Sequence, residues 1–252
     1  MQSARVIPVL LIQDRRLVKT VRFNNPTYIG DAINALRIFS EKQVDELAIL
    51  DISAAAKRSP DFEYVGQLVS ECFMPLAYGG GIQTPEHATI LFSMGVDKVI
   101  LGEAALKTPG LVTEIASRYG AQSVVVSADV GKNWMGRDAV FVSRGRVNSK
   151  TTPSQYAIDM QNAGAGEIIL QSIERDGTGK GFDLALITKV CSGLTIPVIA
   201  LGGASKLEDF SKAVAAGASA VAAGSMFVFN GPHRAVLINY PEPRRLDALF
   251  KA

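Results

Sequence analysis

The residues of this chain best placed to do chemistry are its glycines. Gly80-Gly81 stands 122 positions before Gly202-Gly203, Gly79 precedes the first pair, and one further glycine follows each cluster at the same offset, Gly102 and Gly224. Each cluster closes a short apolar run and comes before a helix start. Glycine lets a backbone approach an anion, and the free N–H groups of a helix N-terminus attract negative charge. A single pair would be read as a turn. Two related pairs, each with a matching glycine after the next apolar run, suit a substrate phosphorylated at both ends. One end would lie at Gly81 and Gly102, the other at Gly203, Gly224 and Ser225. The polar segment Glu174-Arg175-Asp176-Gly177-Thr178 also follows an apolar run, although Asp-Gly is first of all a turn signal.

These loops need a scaffold. The apolar runs Val6–Ile12, Glu46–Ile52, Pro75–Tyr78, Lys98–Leu101, Ser123–Asp129, Glu167–Ser172, Pro197–Leu201 and Ala220–Ala223 lack strict alternation, as strands covered on both faces should. Helical patterns lie between most of them, among them Pro60–Cys72, Pro85–Met94, Pro109–Arg118, Pro153–Ala163 and Leu207–Ala216. A proline near the first turn of several is a start signal. Eight strands with intervening helices predict an α/β fold, a single (β/α)8 TIM barrel over residues 1–252. Ser93-Met94-Gly95 matches Ala215-Ala216-Gly217, and Val44–Leu47 matches Ala165–Ile168, at nearly the offset of the glycines. The barrel therefore reads as two homologous four-strand halves. In such barrels the loop after strand seven and the short helix after strand eight form the usual phosphate site, which is where Gly203, Gly224 and Ser225 fall.

Composition narrows the function further. With 252 residues, 48% hydrophobic and 20% charged, the chain can bury a large core without staples, and its net charge of +2 gives no footprint for nucleic acid or an anionic membrane. The run Val6–Ile12 is too short to span a bilayer. Cys72 and Cys191 have no metal or redox spacing and read as core fillers with reduced thiols. A cytoplasmic protein without metal or cofactor is the expectation. His87 and His233 match no ligand spacing. Trp134, in the polar stretch 131–137, either caps the pocket or lies exposed near the catalytic face, the second being favoured. Tyr78 points into the barrel mouth or into the core.

Arg5-Val6-Ile7-Pro8, Leu50-Asp51-Ile52, Gly79–Ile82, Asp97-Lys98-Val99, Gly164–Ile168, Arg175–Thr178 and Ile199–Ala204 resemble, in order and spacing, the cyclase subunit of imidazole-glycerol-phosphate synthase. The match runs nearly end to end. The sister isomerase of histidine synthesis shares the barrel and phosphate loops but not the Arg-Asp-Gly-Thr loop in this context. The resemblance implies a partner, a class I amidotransferase-like glutaminase subunit, whose ammonia enters the bottom of the barrel and reacts at the top. It implies a salt-bridged gate made of Arg5, Glu46, Lys98 and Glu167, and a glutaminase-facing acid at Asp97. It places Asp129, Lys19 and Asp51 at the catalytic face, and Asp176, Gly177, Gly203, Gly224 and Ser225 at an intact second-half phosphate grip.

The departures from the family are at the top. Leu11 stands where the family has the second of two catalytic carboxylates, and leucine cannot move a proton. The family's Asn-Thr after strand four is Gly102-Glu103, whose carboxylate would repel a dianion. Gln171 and Leu201 replace small hydroxyl residues, and Arg15 replaces a glycine. A kept entrance with an altered mouth implies ammonia delivery to a changed acceptor. The chain looks most like diverged paralogues from surface-polysaccharide gene sets, which with a diverged glutaminase and a third, amidotransferase protein convert an acetamido sugar to an acetamidino sugar. The substrate would be a phosphorylated or nucleotide-linked small molecule. A true cyclase of histidine synthesis and a non-catalytic scaffold activating a glutaminase are the alternatives.

Overall fold

The computed structural model describes residues 4–231 and 233–251. Eight parallel strands close on themselves: β1 (Arg5–Gln13), β4 (Leu47–Asp51), β5 (Leu76–Gly79), β6 (Lys98–Leu101), β7 (Val124–Lys132), β10 (Glu167–Ser172), β11 (Val198–Leu201) and β12 (Ala220–Ala223), with β12 returning to pair with β1. The intervening numbers belong to hairpin strands: β2 (Arg16–Val21) and β3 (Asn24–Gly30) after the first barrel strand, β8 (Asp138–Val142) and β9 (Val147–Asn148) after the fifth. The eight-strand TIM barrel expected from the apolar runs is therefore present, with strand limits shifted by a few residues at most, except that β7 runs three residues past Asp129 to begin its hairpin.

Side chains alternate between two cores, as the strand period demands. Ile7, Val9, Ala48, Ala77, Ile100, Val125, Ile169, Ile199, Ala220 and Ala222 fill the barrel interior, while Val6, Leu10, Ile49, Val99 and Leu170 join the layer between strands and helices. Tyr78 belongs to that outer layer, fully buried, so it serves packing and does not reach the mouth.

Helix starts follow capping chemistry. Asp31, Asp61, Thr84, Thr152 and Asp183 each accept a backbone N–H with their side chains, ahead of α1 (Ala32–Glu41), α3 (Phe62–Val69), α4 (Pro85–Met94), α7 (Pro153–Asn162) and α8 (Leu184–Cys191). Pro85 and Pro153 occupy first-turn positions, where a missing N–H costs nothing. The helix expected over Pro60–Cys72 is shorter at both ends, because Asp61 is its cap and Ser70 closes its last turn. Short helices α2 (Ile52–Lys57), α5 (Glu103–Lys107) and α10 (Ser225–Val228) follow strands directly at the mouth, and α6 (Pro109–Tyr119) and α9 (Leu207–Ala215) complete the outer ring with α11 (Pro243–Lys251). No helix among the described residues is long and apolar enough to cross a membrane.

The internal repeat has a packing cause. A Cβ on Gly81 would come within 2.5 Å of the Ser59 backbone, and one on Gly203 within 2.3 Å of the Gly181 carbonyl oxygen. Ser59 and Gly181 are themselves 122 positions apart. Both glycines also have left-handed φ, 71° and 104°. Each half thus folds the loop after its second strand against the glycine of the loop after its third, and no side chain fits between them.

Candidate functional site

The C-terminal ends of the strands open into one cavity of about 640 Å³. Leu11, Lys19, Asp51, Asp129, Gln171 and Asp176 line it, together with Gly81, Gly102, Gly177, Gly203, Gly224 and Ser225. These residues, which the sequence places at the catalytic face and the phosphate loops, therefore share one wall system. The size is ordinary for a small-molecule pocket.

Asp129 lies near the end of β7, and Ser127, two residues earlier on the same strand face, donates its Oγ hydrogen to Asp129 Oδ1 at 3.1 Å. Burial pushes the Asp129 carboxyl up to about 6, against the opposing pull of that hydrogen bond. Lys19 rises from β2, which folds over the mouth, and its Nζ donates to the Val9 carbonyl at 2.7 Å. Burial lowers the Lys19 ammonium to about 8, with Asp176 pulling the other way. A Cβ on Gly224 would sit 2.3 Å from Lys19 Nζ, so glycine there is the space the amine uses. The mouth thus holds an acid and an amine poised on either side of neutrality, as proton-transfer groups need to be.

Asp51 has a structural duty as well. Its Oδ1 accepts from Ser53 N, Ala54 N and Ser53 Oγ at 2.8–2.9 Å, capping α2. Asp176 ties the first hairpin to the loop after β10: its Oδ2 accepts from Thr20 Oγ1 at 3.1 Å, and its carbonyl accepts from Arg22 N at 3.0 Å. Burial raises the Asp176 carboxyl, offset by bonds from Phe23 N and Thr20 and by Lys19.

Glu103 is not the free charge that the sequence suggested. It pairs with Lys107 one turn on, and its Oε2 accepts from Ser143 N at 3.0 Å and Ser143 Oγ at 3.1 Å. These contacts hold its carboxyl below the usual range, the Lys107 bond most of all. Its negative charge is therefore largely answered before any ligand arrives.

At the opposite end of the barrel, Arg5, Glu46, Lys98 and Glu167 meet. Arg5 bridges Glu46 at 2.5 Å and Glu167 at 2.8 Å, and Lys98 bridges the same two acids at 2.9 and 3.3 Å. The alternating ring of two cations and two anions closes the foot of the interior, above which the lining is apolar. Asp97, beside it, is exposed, and its Oδ2 accepts from Leu76 N at 2.8 Å, so it also pins β5. Removing Arg5 leaves two nearly buried carboxylates sharing one lysine. Arg5→Ala is expected to cost about 1–3 kcal/mol, less than a fully buried pair because Arg5 is itself partly exposed. Thermal unfolding checks this: the melting temperature should fall by roughly 3–8 °C.

A family model described as histidine biosynthesis protein matches residues 5–232. The chain belongs to that family. Among its relatives, a Pseudomonas aeruginosa protein provisionally named imidazole glycerol phosphate synthase subunit hisF2 is 50% identical over 252 residues, covering 98% of this chain and 99% of that protein. A Leptospira interrogans protein provisionally named subunit HisF of the same synthase is 44% identical, covering 99% of this chain and all of its own. The Streptomyces avermitilis protein named imidazole glycerol phosphate synthase subunit HisF is 40% identical over 228 residues, covering 90% of this chain and 91% of its own. The cyclase-subunit resemblance of the motifs is thus a family membership, and the barrel is that of a HisF-like cyclase subunit.

Several cavity residues escape the motif reading. Ser127 could have been found from Asp129, because strand residues two apart share a face. Phe23, Arg58, Phe141, Arg144 and Arg146 also line the cavity but arrive through hairpin and helix-end geometry that no local pattern reveals. Trp134 stands 92% exposed at the turn between β7 and β8 and is not part of the cavity wall. His87 accepts from Gln83 N through Nδ1 at 3.4 Å and packs edge-on against Phe62, and His233 is exposed.

Proposed function

We propose that this HisF-like barrel is the synthase-side subunit of a glutamine-dependent amidotransferase complex. Ammonia from a glutaminase subunit passes the ring of Arg5, Glu46, Lys98 and Glu167, moves through the interior and reaches an acceptor in the mouth. The apolar lining between Ile7 and Ala222 excludes ammonium but tolerates neutral ammonia, so the interior delivers the nucleophilic form. Asp97 and the strand starts around it would face the glutaminase. The acceptor is a phosphorylated or nucleotide-linked sugar whose acetamido group becomes acetamidino, with a third amidotransferase protein completing the complex. The observation that carries this reading is the closed ring at one end combined with Leu11 lining the same cavity as Asp129, Lys19 and Asp51 at the other. Asp129 and Lys19 would exchange protons with the acceptor, and Asp51 would position the first-half wall. Gly203, Gly224, Ser225, Asp176 and Gly177 would grip a phosphate, with Gly81, Gly102 and Gln171 shaping the other end.

The test is reconstitution of the chain with its glutaminase and the third protein. Glutamine-dependent nitrogen transfer to an acetamido sugar nucleotide is expected; no transfer to any such acceptor would end this reading. The observation that favours a second reading, cyclase activity in histidine synthesis, is the retained Asp129, Lys19 and second-half glycine set within the family.

A further inference from the structure

The first-half end of the mouth is ringed by cations that no catalytic role uses. Arg58, Lys107, Arg144 and Arg146 all line the cavity. Lys107 is spent on Glu103. Among the described residues, none of the three arginines has a carboxylate partner. The acids that face this end are Glu103, already paired, and Asp51, buried and committed through Oδ1 to the cap of α2.

Two of the three arginines are also held in place. Arg144 sits in the turn between β8 and β9 with φ 61°, next to Ser143 at φ 53°, and Arg58 ends α2 at φ 59°. These are left-handed conformations that favour glycine or asparagine, and a long charged side chain occupies them at a cost. Glu103 fixes the turn by accepting Ser143 N and Oγ. Arg144 then donates to the Ile52 carbonyl at 3.2 Å, and Arg58 to Gln83 Oε1 at 3.1 Å, which ties the second hairpin and the end of α2 to the loops after β4 and β5. Strained backbone that persists because its surroundings impose it is a mark of ligand clamps.

From this convergence we propose that Arg58, Arg144 and Arg146 form an anion clamp at the rim, which binds a phosphoryl group of the acceptor through guanidinium side chains. It stands apart from the backbone grip at Gly203 and Ser225. Guanidinium forks match phosphate oxygens bidentately, and three forks without a carboxylate partner suit one phosphate or a pyrophosphate unit. Glu103 contributes by shaping the turn and does not repel the ligand. The inference rests on the mouth being the acceptor site and is independent of how ammonia reaches it.

Calorimetric titration of the purified chain with inorganic phosphate and with pyrophosphate tests it and distinguishes the two. The Arg144→Ala/Arg146→Ala variant should bind the tighter of these probes at least about tenfold more weakly. Arg58→Gln, on a separate element, should weaken the same binding, so a misfolded hairpin could not account for both losses. Arg37→Ala, an exposed arginine paired with Glu71 outside the cavity, should leave it in place, and Ser225→Asp should remove only the share bound at the second-half grip. Absence of binding to the wild-type chain, wild-type affinity in the cavity-arginine variants, or a loss that follows only Ser225→Asp would overturn the clamp.

Discussion

Asp129→Asn should reduce glutamine-dependent turnover of the acceptor by roughly 10²–10⁴-fold, the usual worth of a placed acid or base. Hydrolysis of glutamine by the partner should persist, because the ring at the foot of the barrel is untouched. The same carboxyl sets the pH dependence. With Asp129 near 6 and Lys19 near 8, acceptor kcat/KM should be bell-shaped between those values, and the acid limb should vanish in Asp129→Asn. Stability should move the other way. A carboxyl raised by burial favours the folded state fully only below its unfolded value near 4, and that advantage is lost as pH rises through about 6. At neutral pH ionised Asp129 therefore strains the fold, and Asp129→Asn should be more stable by up to about 2 kcal/mol. A purely structural scaffold would show the stability gain without the loss of turnover, so measuring both in one variant separates the readings.

The chain is expected to fail in place of the cyclase in a histidine auxotroph. Leu11 pairs with Val18 and Leu50 across the sheet and lines the cavity without an exchangeable proton. A reaction that needs carboxylates on opposite sides of its substrate then loses one of them, a deficit of about 10²-fold or more. Leu11→Asp should not recover cyclisation. The new carboxyl would lie between apolar neighbours that raise its pKa, and Gly102-Glu103 stand where the resemblance to the family expects Asn-Thr. Growth of the auxotroph on the wild-type gene would make this chain an ordinary cyclase.

How much of this was legible in the sequence differs by element. The barrel strands announce themselves because burial on both faces requires continuous Val, Ile, Leu and Ala. The first hairpin is harder: β3 reads Asn24-Asn25-Pro26-Thr27-Tyr28-Ile29-Gly30 and is exposed over most of its length, so it carries no hydrophobic period. The glycine repeat was visible, but its packing against Ser59 and Gly181 needed the folded loops. The ring at the foot of the barrel joins residues up to 162 positions apart, and only the family resemblance gathered them. Glu103 reads as a repelling carboxylate until it is paired with Lys107 four residues on, a spacing that favours an ion pair on a helix. Arg58 and Arg144 line the cavity from left-handed backbone positions, which their residue type argues against.

The most direct measurement supplies the reconstituted complex with amide-¹⁵N glutamine in a large excess of unlabelled ammonium and follows label in the acceptor. The expected result is product that keeps the ¹⁵N in the wild type and loses it to the bulk pool in Arg5→Ala, whose ring is broken. Label diluted to the bulk proportion already in the wild type would mean that nitrogen does not travel inside this barrel, and would contradict the account.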